Sequence, residues 1–336
     1  MSNTGFILTL AYPETVVMVS DEWFLKYLHY FGIGKKNYVR AGHAALVLIH
    51  KETGILEYFD FGRYISPLST GRVRSKETDH ELDFSIKPII GDGGIKNLEE
   101  LLIFLSTHPK LTHGYGTMYA SVCDEVDFEN TKSFIAEMQQ RHFIRYAAFI
   151  KEATNCARFV TDALIAGVTN PSIKKKLIKS KWFTPSTLGN VVFADTKNKV
   201  YKLSEDGEIS IFKSSVSTEN KHLFLDQLKD HQPNLEGNLH PKPNCEKHEK
   251  AQWLSGIGGG AWFELYGLNH DFEYRFRRVS PDGHIDVDGI YRILNKGFDI
   301  HSNYYFTHYS NCKFFHVRQY DTDYRFEFLR KHERSS

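Results

Sequence analysis

The chain has 336 residues, which is long enough for two domains, because single hydrophobic cores stop growing beyond roughly 250 to 300 residues. Hydrophobic residues make up 41% and aromatic residues 14% of the sequence, which favours a folded chain over a disordered one. The 42 basic residues balance the 41 acidic ones, so the overall charge gives no support to binding of nucleic acid or of an acidic membrane surface.

The N-terminal segment MSNTGFILTLAYPETVV does not resemble a secretory signal peptide, since it lacks a basic n-region and its apolar run is interrupted by Pro13 and Glu14. No window reaches the roughly 18 consecutive apolar residues that a membrane-spanning helix needs. We therefore expect a soluble, cytoplasmic protein without a membrane span. The cysteines are widely spaced and form no CxxC pair, so we expect free thiols. They are Cys123, Cys156, Cys245 and Cys312.

The first predicted elements are a strand, a helix and a hairpin. Residues 5–14 (GFILTLAYPE) form a β-rich run that ends at a proline. Residues 20–34 (SDEWFLKYLHYFGIG) have helical spacing of apolar residues, with Ser20 as an N-cap candidate. The run HAALVLI, the turn-like HKETG and the run ILEYFDFGRY then predict a β-hairpin.

Three helices are predicted next. In NLEELLIFLSTH, Asn97 and Glu100 form a capping-box pattern that marks a helix start. A longer helix is expected at about 130–150, where apolar residues recur with helical spacing. A further helix begins near Asn155 and ends at Gly167.

Beyond residue 195 the pattern changes to short strands separated by turns, starting with a hairpin around residues 206–207. Residues 230–250 are polar, contain three of the ten prolines and are typical of a linker. We therefore predict an α+β chain of two domains. Residues 1–195 would form helices packed on an antiparallel sheet, and residues 196–336 a mostly β accessory domain.

The predicted hairpin brings a histidine and a carboxylate to one face of the sheet. With a loop centred on residues 52–53, Ala45 faces Asp60 across the two strands. His43 then lies on the face of Asp60, one pair away, at a diagonal Cα separation of about 7 to 8 Å that long side chains can bridge. A register slip of one residue would move another side chain to this position. The alternatives are Glu57 and Phe59.

The helix after Thr154 carries a cysteine on its apolar face. The residues of this stripe recur at helical spacing and are Cys156, Val160, Ala163 and Gly167. Cys156 lies in the first turn, where unpaired N–H groups and the positive end of the helix lower the pKa of a thiol. A thiol nucleophile needs a base, and the base needs an orienting partner; His43 and Asp60 supply these residue types. The N–H of Cys156 could help to bind an oxyanion.

These residues together resemble the circularly permuted papain-like fold, which includes permuted NlpC-type cell-wall peptidases and lecithin retinol acyltransferase. The resemblance rests on the strand GHAALVLI, the adjacent strand with a polar residue, and the element NCARFV at residues 155–160. It covers roughly residues 38–170, and in this branch the histidine precedes the cysteine. The resemblance implies Cys156 as nucleophile and His43 as general base and then acid. It takes the orienting residue, commonly His, Glu or Asn, from the second hairpin strand, where this chain has Asp60.

Two basic segments are candidates for substrate contacts. Arg63, Arg72 and Arg74 follow the hairpin closely, which predicts a substrate-facing loop. The run SIKKKLIKSK at residues 172–181 is typical of a solvated helix face, with steering of an acidic substrate or contact with a phosphate group as the alternative. The cysteines and histidines lack the paired spacing of a zinc site, so we expect no metal and no cofactor.

The sequence thus predicts a thiol hydrolase, a peptidase or amidase, that acts on a small peptide or amide through an acyl-enzyme. An acyltransferase of the same fold with a lipid or thioester donor is the alternative, and it would need a broad apolar channel beside Cys156. The alternative from another functional class is a non-catalytic glycan- or peptide-binding protein with a degenerate site. Its ligand would then contact aromatic residues of the β domain, namely Trp253, Trp262 and Tyr266. The oligomeric state stays open.

Overall fold

The structure is a computed structural model of the chain. It describes residues 2–20, 22–64, 66, 69–79, 82–141, 143–229, 249–255, 260–268, 272–279, 283, 285–307 and 314–332. Residues 230–248 of the predicted linker, and with them Cys245, lie outside the described residues, as does Cys312. The chain divides into two compact units. The first comprises Met1–Gly62, Gly71–Glu77 and Glu81–Pro233, and the second comprises Arg63–Thr70, Thr78–His80 and Asn234–Ser336.

The first unit contains an eight-stranded sheet and two small two-stranded sheets. Its strands are β1 (Gly5–Tyr12), β2 (Val16–Met18), β3 (Tyr38–Arg40), β4 (His43–His50), β5 (Leu56–Gly62), β6 (Thr70–Arg74), β7 (Ile90–Gly91), β8 (Gly94–Ile95), β9 (Met118–Val126), β10 (Ile144–Arg145), β11 (Tyr201–Leu203) and β12 (Ile209–Ile211). The order in the large sheet is β10-β6-β5-β4-β1-β9-β11-β12, and β2 pairs with β3 and β7 with β8. The strands β11 and β12 lie beyond residue 195, where the first domain was expected to end, and they extend the large sheet through β9.

Helices flank this sheet. They are a 3₁₀ helix (Leu25–Phe31), α1 (Leu98–Thr107), α2 (Pro109–Thr112), α3 (Phe128–Gln140), α4 (Cys156–Gly167), α5 (Pro171–Ser180), α6 (Thr187–Ala194) and α7 (Val216–Phe224). The predicted helix near Asn155 is confirmed as α4. The helix expected at 20–34 is a shorter 3₁₀ helix with Phe24 at its N-cap position, and the hydroxyl of Ser20 bonds the side chain of Glu22 and does not cap it. The helix expected at 130–150 ends at Gln140, and the chain then enters β10.

The hairpin of β4 and β5 has the predicted register, with Ala45 paired to Asp60. Strand β4 is buried on both faces, because alternate side chains enter two separate cores. Ala44, Leu46 and Leu48 pack in the core that contains α4, and Ala45, Val47 and Ile49 pack in the core that contains α1. Burial on both faces explains why HAALVLI is a continuous apolar run and not an alternating one.

The second unit contains a seven-stranded antiparallel sheet. Its strands are β13 (Gln252–Ser255), β14 (Gly260–Gly267), β15 (Glu273–Val279), β16 (Ile285–Ile293), β17 (Tyr305–Phe306), β18 (Phe314–Gln319) and β19 (Thr322–Lys331), in the order β13-β14-β15-β16-β19-β18-β17. One face carries an aromatic core that includes Phe263, Phe276, Phe315 and Phe326. The predicted fold class, an α+β chain with a β-rich C-terminal unit, is confirmed. Among the described residues, no helix has the length and apolarity to cross a membrane.

Candidate active site

Asn155 fixes the start of α4. Its Oδ1 accepts a hydrogen bond from the backbone N–H of Arg158 at 3.0 Å, and its Nδ2 donates to the carbonyl of Ala147 at 3.1 Å. This cap makes Cys156 the first residue of the helix, where the backbone N–H groups have no partner within the helix. The thiol is buried in the core that α4 shares with β4.

The thiol of Cys156 lies at the beginning of β4. Its Sγ is 3.9 Å from the carbonyl oxygen of Gly42, the residue before His43. The imidazole of His43 lies beside both groups: its Nε2 is 3.1 Å from the carboxylate Oδ2 of Asp60, and its interaction with the thiol of Cys156 shifts the pKa of both side chains. Because Nε2 faces Asp60, Nδ1 is the ring nitrogen that remains for the sulfur. The structure therefore brings together the three side chains that the sequence selected.

Asp60 is held by further hydrogen bonds. The hydroxyl of Tyr58 donates to Oδ2 at 3.0 Å. Arg74, which pairs with Asp60 across β5 and β6, donates from Nε to Oδ1 at 3.0 Å and from Nη2 to Oδ2 at 2.6 Å. Both Asp60 and Arg74 are buried. The guanidinium of Arg74 therefore anchors the carboxylate, and its predicted role in substrate binding stays a prediction.

The charge of Asp60 follows from these contacts. Burial alone would raise the pKa of the carboxyl, because it penalises the ionised form. The positive charge of Arg74 and the hydrogen bonds from His43 and Arg74 outweigh burial and hold the pKa well below its usual range. Asp60 is therefore ionised at neutral pH and can stabilise a positive charge on His43.

Cys156 and His43 each shift the pKa of the other. Burial would lower the pKa of His43, but the hydrogen bonds to Asp60 and Cys156 and the neighbouring negative charges raise it to about 9. Burial would raise the pKa of the Cys156 thiol, but His43 and the backbone N–H groups of Ala44 and Ala157 lower it. These opposite shifts favour a thiolate beside an imidazolium. Cys123 provides the contrast, because burial raises the pKa of its thiol to about 12.

Cys156 also lines a cavity of about 610 Å³, which is within the roughly 300–1,000 Å³ range of small-molecule sites. Most of the wall is apolar. It includes Val17, Met18, Phe24, Leu25, Leu28, Val39, Tyr146, Phe149, Phe183, Leu223 and Phe224. The charged Arg40 is neutralised at the wall by Asp226, with 2.8 Å between Nε and Oδ2. The nucleophile candidate is thus placed next to an apolar space.

Glu22, which was not among the residues predicted from the sequence, holds two residues that line this cavity. Its buried carboxylate accepts hydrogen bonds from the backbone N–H groups of Ala148 at 3.0 Å and Phe149 at 2.6 Å. These contacts fix the loop that carries Phe149 against the segment before the 3₁₀ helix. The partners are 126 and 127 residues from Glu22 and are backbone groups, so no local pattern could have identified them.

The remaining predicted contact residues lie elsewhere. Arg72 is buried in β6 opposite Gly62, Arg63 belongs to the second unit, and neither is among the residues that line the cavity. Their role in substrate binding stays a prediction. In the second unit, Trp253 and Trp262 pair across β13 and β14 with ring centroids 5.4 Å apart. The hydroxyl of Tyr266 in β14 donates to Glu264 at 2.8 Å, and a ligand for these aromatic residues likewise stays a prediction.

Comparisons with known proteins place this site within a matched region. Residues 7–173 match the model of the type VI secretion system effector TseH-like family, and residues 251–329 match the DUF6695 C-terminal domain. No curated protein matches the chain. The crystal structure of the type VI secretion system effector TseH is similar over 63% of this chain and 100% of that chain, with 18% identity and a TM-score of 0.44. The family match includes His43, Asp60 and Cys156 and fits a papain-like fold.

Proposed function

We propose that this chain is a cysteine-nucleophile hydrolase of the circularly permuted papain-like type, with small peptides or amides as substrates. Cys156 is the nucleophile, His43 the general base and then acid, and Asp60 the residue that orients the imidazole. The observation that carries the proposal is the row of contacts from the thiol through His43 to Asp60, at the edge of a cavity. The order of His43 before Cys156 in the chain supports the permuted form.

The reaction begins from the thiolate and the imidazolium. The sulfur of Cys156 attacks the carbonyl carbon, the C=O bond opens to an oxyanion, and the imidazolium of His43 gives its proton to the leaving amine. This step releases the amine and leaves an acyl-thioester on Cys156. The now neutral His43 takes a proton from water, whose oxygen attacks the thioester. Release of the acid returns the thiolate and the imidazolium.

The oxyanion of these steps needs donors. The first N–H groups of a helix have no intrahelical acceptor and lie at its positive end, so they suit a developing negative charge. We assign this role to the N–H of Cys156. The N–H groups of Ala44 and Ala157 serve the sulfur, since both stabilise the thiolate form.

Acyl transfer from a lipid or thioester donor is the second candidate. The apolar wall beside Cys156 favours it, because an acyl chain fits such a cavity better than a polar peptide does. Both reactions proceed through the same acyl-thioester and differ in the acceptor. The two reactions can be distinguished by trapping the acyl-enzyme and then adding either water alone or a primary alcohol.

Alkylation of the thiols tests the proposal. Iodoacetamide near neutral pH should modify Cys156 faster than the other cysteines, with Cys123 as the internal control because its pKa is raised. His43→Ala should slow the modification of Cys156 and leave Cys123 unchanged. Mass spectrometry should also find an acetyl group on Cys156 after incubation with p-nitrophenyl acetate. Equal reactivity of Cys156 and Cys123 in the folded protein would refute an activated nucleophile.

A further inference from the structure

Exposed aromatic side chains border the cavity on the first unit. We call this surface the aromatic rim; it consists of the exposed Trp23, Phe24, Tyr27, Tyr30, Phe31, Trp182 and Phe183 together with the half-buried Phe149. Trp182 is 83% exposed, Phe31 78% and Trp23 73%. Trp and Tyr of this kind have an apolar body and a polar tip, which is the reason for their enrichment where one side of a surface is apolar and the other is wet.

The aromatic rim is continuous with the cavity. Ring centroids are 5.9 Å apart between Trp23 and Phe24, 5.4 Å between Phe24 and Phe149, and 5.0 Å between Phe149 and Phe183. Phe24, Phe149 and Phe183 also line the cavity. The ring contacts therefore connect the exposed Trp23 with three rings that line the same cavity as Cys156.

The segments that carry the rim are basic, although the whole chain has a net charge of only +1. Residues 23–36 contain three lysines and residues 171–183 contain five, and neither segment has an acidic residue. Lys181 is paired with Asp162 on α4, and the ammonium of Lys26 lies 5.2 Å from the ring of Tyr27. A local positive charge beside exposed aromatic rings complements an anionic surface that is apolar underneath.

We infer that the aromatic rim docks on the surface of an anionic lipid bilayer and that the cavity receives an acyl chain whose carbonyl is presented to Cys156. The docking part does not depend on the reaction at Cys156, whereas the attack on the acyl carbonyl rests on the nucleophile proposed above and on its second candidate reaction, acyl transfer from a lipid donor. A lipid surface accounts for the rings, the lysines and the apolar cavity together. A protein partner accounts for the exposed rings but gives no reason for an apolar cavity that ends at a thiol.

Vesicle binding tests the docking part. The full-length protein is mixed with vesicles of phosphatidylcholine alone or of equal parts phosphatidylcholine and phosphatidylglycerol, and bound protein is measured by flotation. We expect binding to the mixed vesicles that weakens with added salt. Trp23→Ser and Trp182→Ser should each weaken the affinity roughly tenfold, because each removes a large apolar side chain from the contact. Tyr320→Ser is the matched control, since Tyr320 is equally exposed (78%) but belongs to the second unit.

Three outcomes would overturn the docking part: no binding of the wild-type protein to mixed vesicles, equal binding of the tryptophan variants, or a concentration-dependent dimer that the same variants abolish. The last would identify a second copy of the chain as the partner. Cys156→Ser should bind vesicles like the wild-type protein. If the protein binds vesicles but Cys156 is unreactive, the docking surface is supported and the proposed function is refuted. If Cys156 is reactive but the protein does not bind vesicles, the docking surface is refuted and the proposed function is unaffected.

An alkylating agent with an acyl-length chain tests the occupant of the cavity. N-dodecyl iodoacetamide and iodoacetamide differ only in the hydrocarbon chain, so the ratio of their rates at Cys156 measures the contribution of the chain. We expect this ratio to exceed that for free N-acetylcysteine by roughly tenfold, because part of the chain leaves water in the cavity. A ratio equal to that of N-acetylcysteine would refute an acyl chain as the occupant.

Discussion

Arg74 donates two hydrogen bonds to the carboxylate of Asp60, at 3.0 Å from Nε to Oδ1 and at 2.6 Å from Nη2 to Oδ2, and both side chains are buried. Nη2 also donates to the carbonyl of Leu111 at 3.1 Å. The planar guanidinium fixes the carboxylate in two directions, so the oxygen that accepts from His43 has little freedom to rotate. Arg74 is thus a positioning residue that acts on the imidazole through Asp60.

We expect Arg74→Gln to lower the free energy of unfolding by about 3–5 kcal/mol, because it removes the guanidinium that pairs with the buried carboxylate of Asp60. Urea unfolding measures the loss. Arg74→Lys keeps the charge but not the two-pronged contact. It should therefore be more stable than Arg74→Gln, but its Cys156 should be alkylated more slowly than that of the wild-type protein. Arg318→Gln is the control, since Arg318 makes a similar two-pronged contact with Asp323 at an exposed site and should cost far less. Normal alkylation in Arg74→Lys would contradict a positioning role.

The decrease of the free energy of unfolding at acidic pH should depend on Asp60. Its pKa in the folded chain lies well below the value of about 3.9 expected in the unfolded chain. The carboxylate therefore contributes stability that is fully present above about pH 4 and is lost as the pH falls toward the folded-state pKa. Urea unfolding at a series of pH values should show a shallower acid limb for Asp60→Asn than for wild type. Asp83→Asn, at an exposed site, should keep the wild-type slope.

The parts of the site that depend on local patterns could be predicted from the sequence. The register of β4 and β5 follows from the turn length and the continuous apolar run, so the pairing of Ala45 with Asp60 was accessible. The start of α4 follows from Asn155 as N-cap and from the apolar stripe that begins at Cys156. The order of histidine and cysteine then linked the two elements.

The rest depends on contacts that are distant in sequence. The contact of Arg74 with Asp60 depends on the identification of β6 as a strand, after which an arginine opposite an aspartate on neighbouring strands is a recognisable cross-strand pair. The cavity wall joins Phe24, Phe149 and Phe183 from three separate segments. No periodicity within any one segment indicates that these rings meet, so the apolar character of the site emerges only from the folded chain.

The pH profile of amide cleavage should have two limbs. On the acid side, activity appears as Cys156 loses its proton, below the ordinary thiol value of about 8.5 because the pKa of Cys156 is lowered. On the alkaline side, cleavage of a p-nitroanilide should decline as the pH rises through about 9, where His43 loses the proton that the leaving amine needs. A p-nitrophenyl ester has a leaving group that needs no proton, so its alkaline decline should be weaker. Identical alkaline limbs for the two substrates would argue against His43 as the acid.

Gly42 lies between the strand that carries His43 and the thiol of Cys156, and its backbone conformation requires a glycine. Its φ of +79° lies in the left-handed region, its carbonyl oxygen faces the sulfur of Cys156, and a Cβ at this position would lie 2.8 Å from the Cα of Pro13. Gly93 has a similar φ of +74°, but a Cβ there would meet nothing within 4 Å.

We therefore expect Gly93→Ala to lower the free energy of unfolding by only the roughly 1–2 kcal/mol that a side chain costs in the left-handed region. Gly42→Ala should lower it by more, because the backbone at Pro13 must shift. Urea unfolding compares the two variants. Since the displaced backbone carries the neighbouring His43 with it, Gly42→Ala should also slow alkylation of Cys156, whereas Gly93→Ala should not. Equal alkylation rates in the two variants would mean that the strand end tolerates the shift and that the position of His43 does not depend on this glycine.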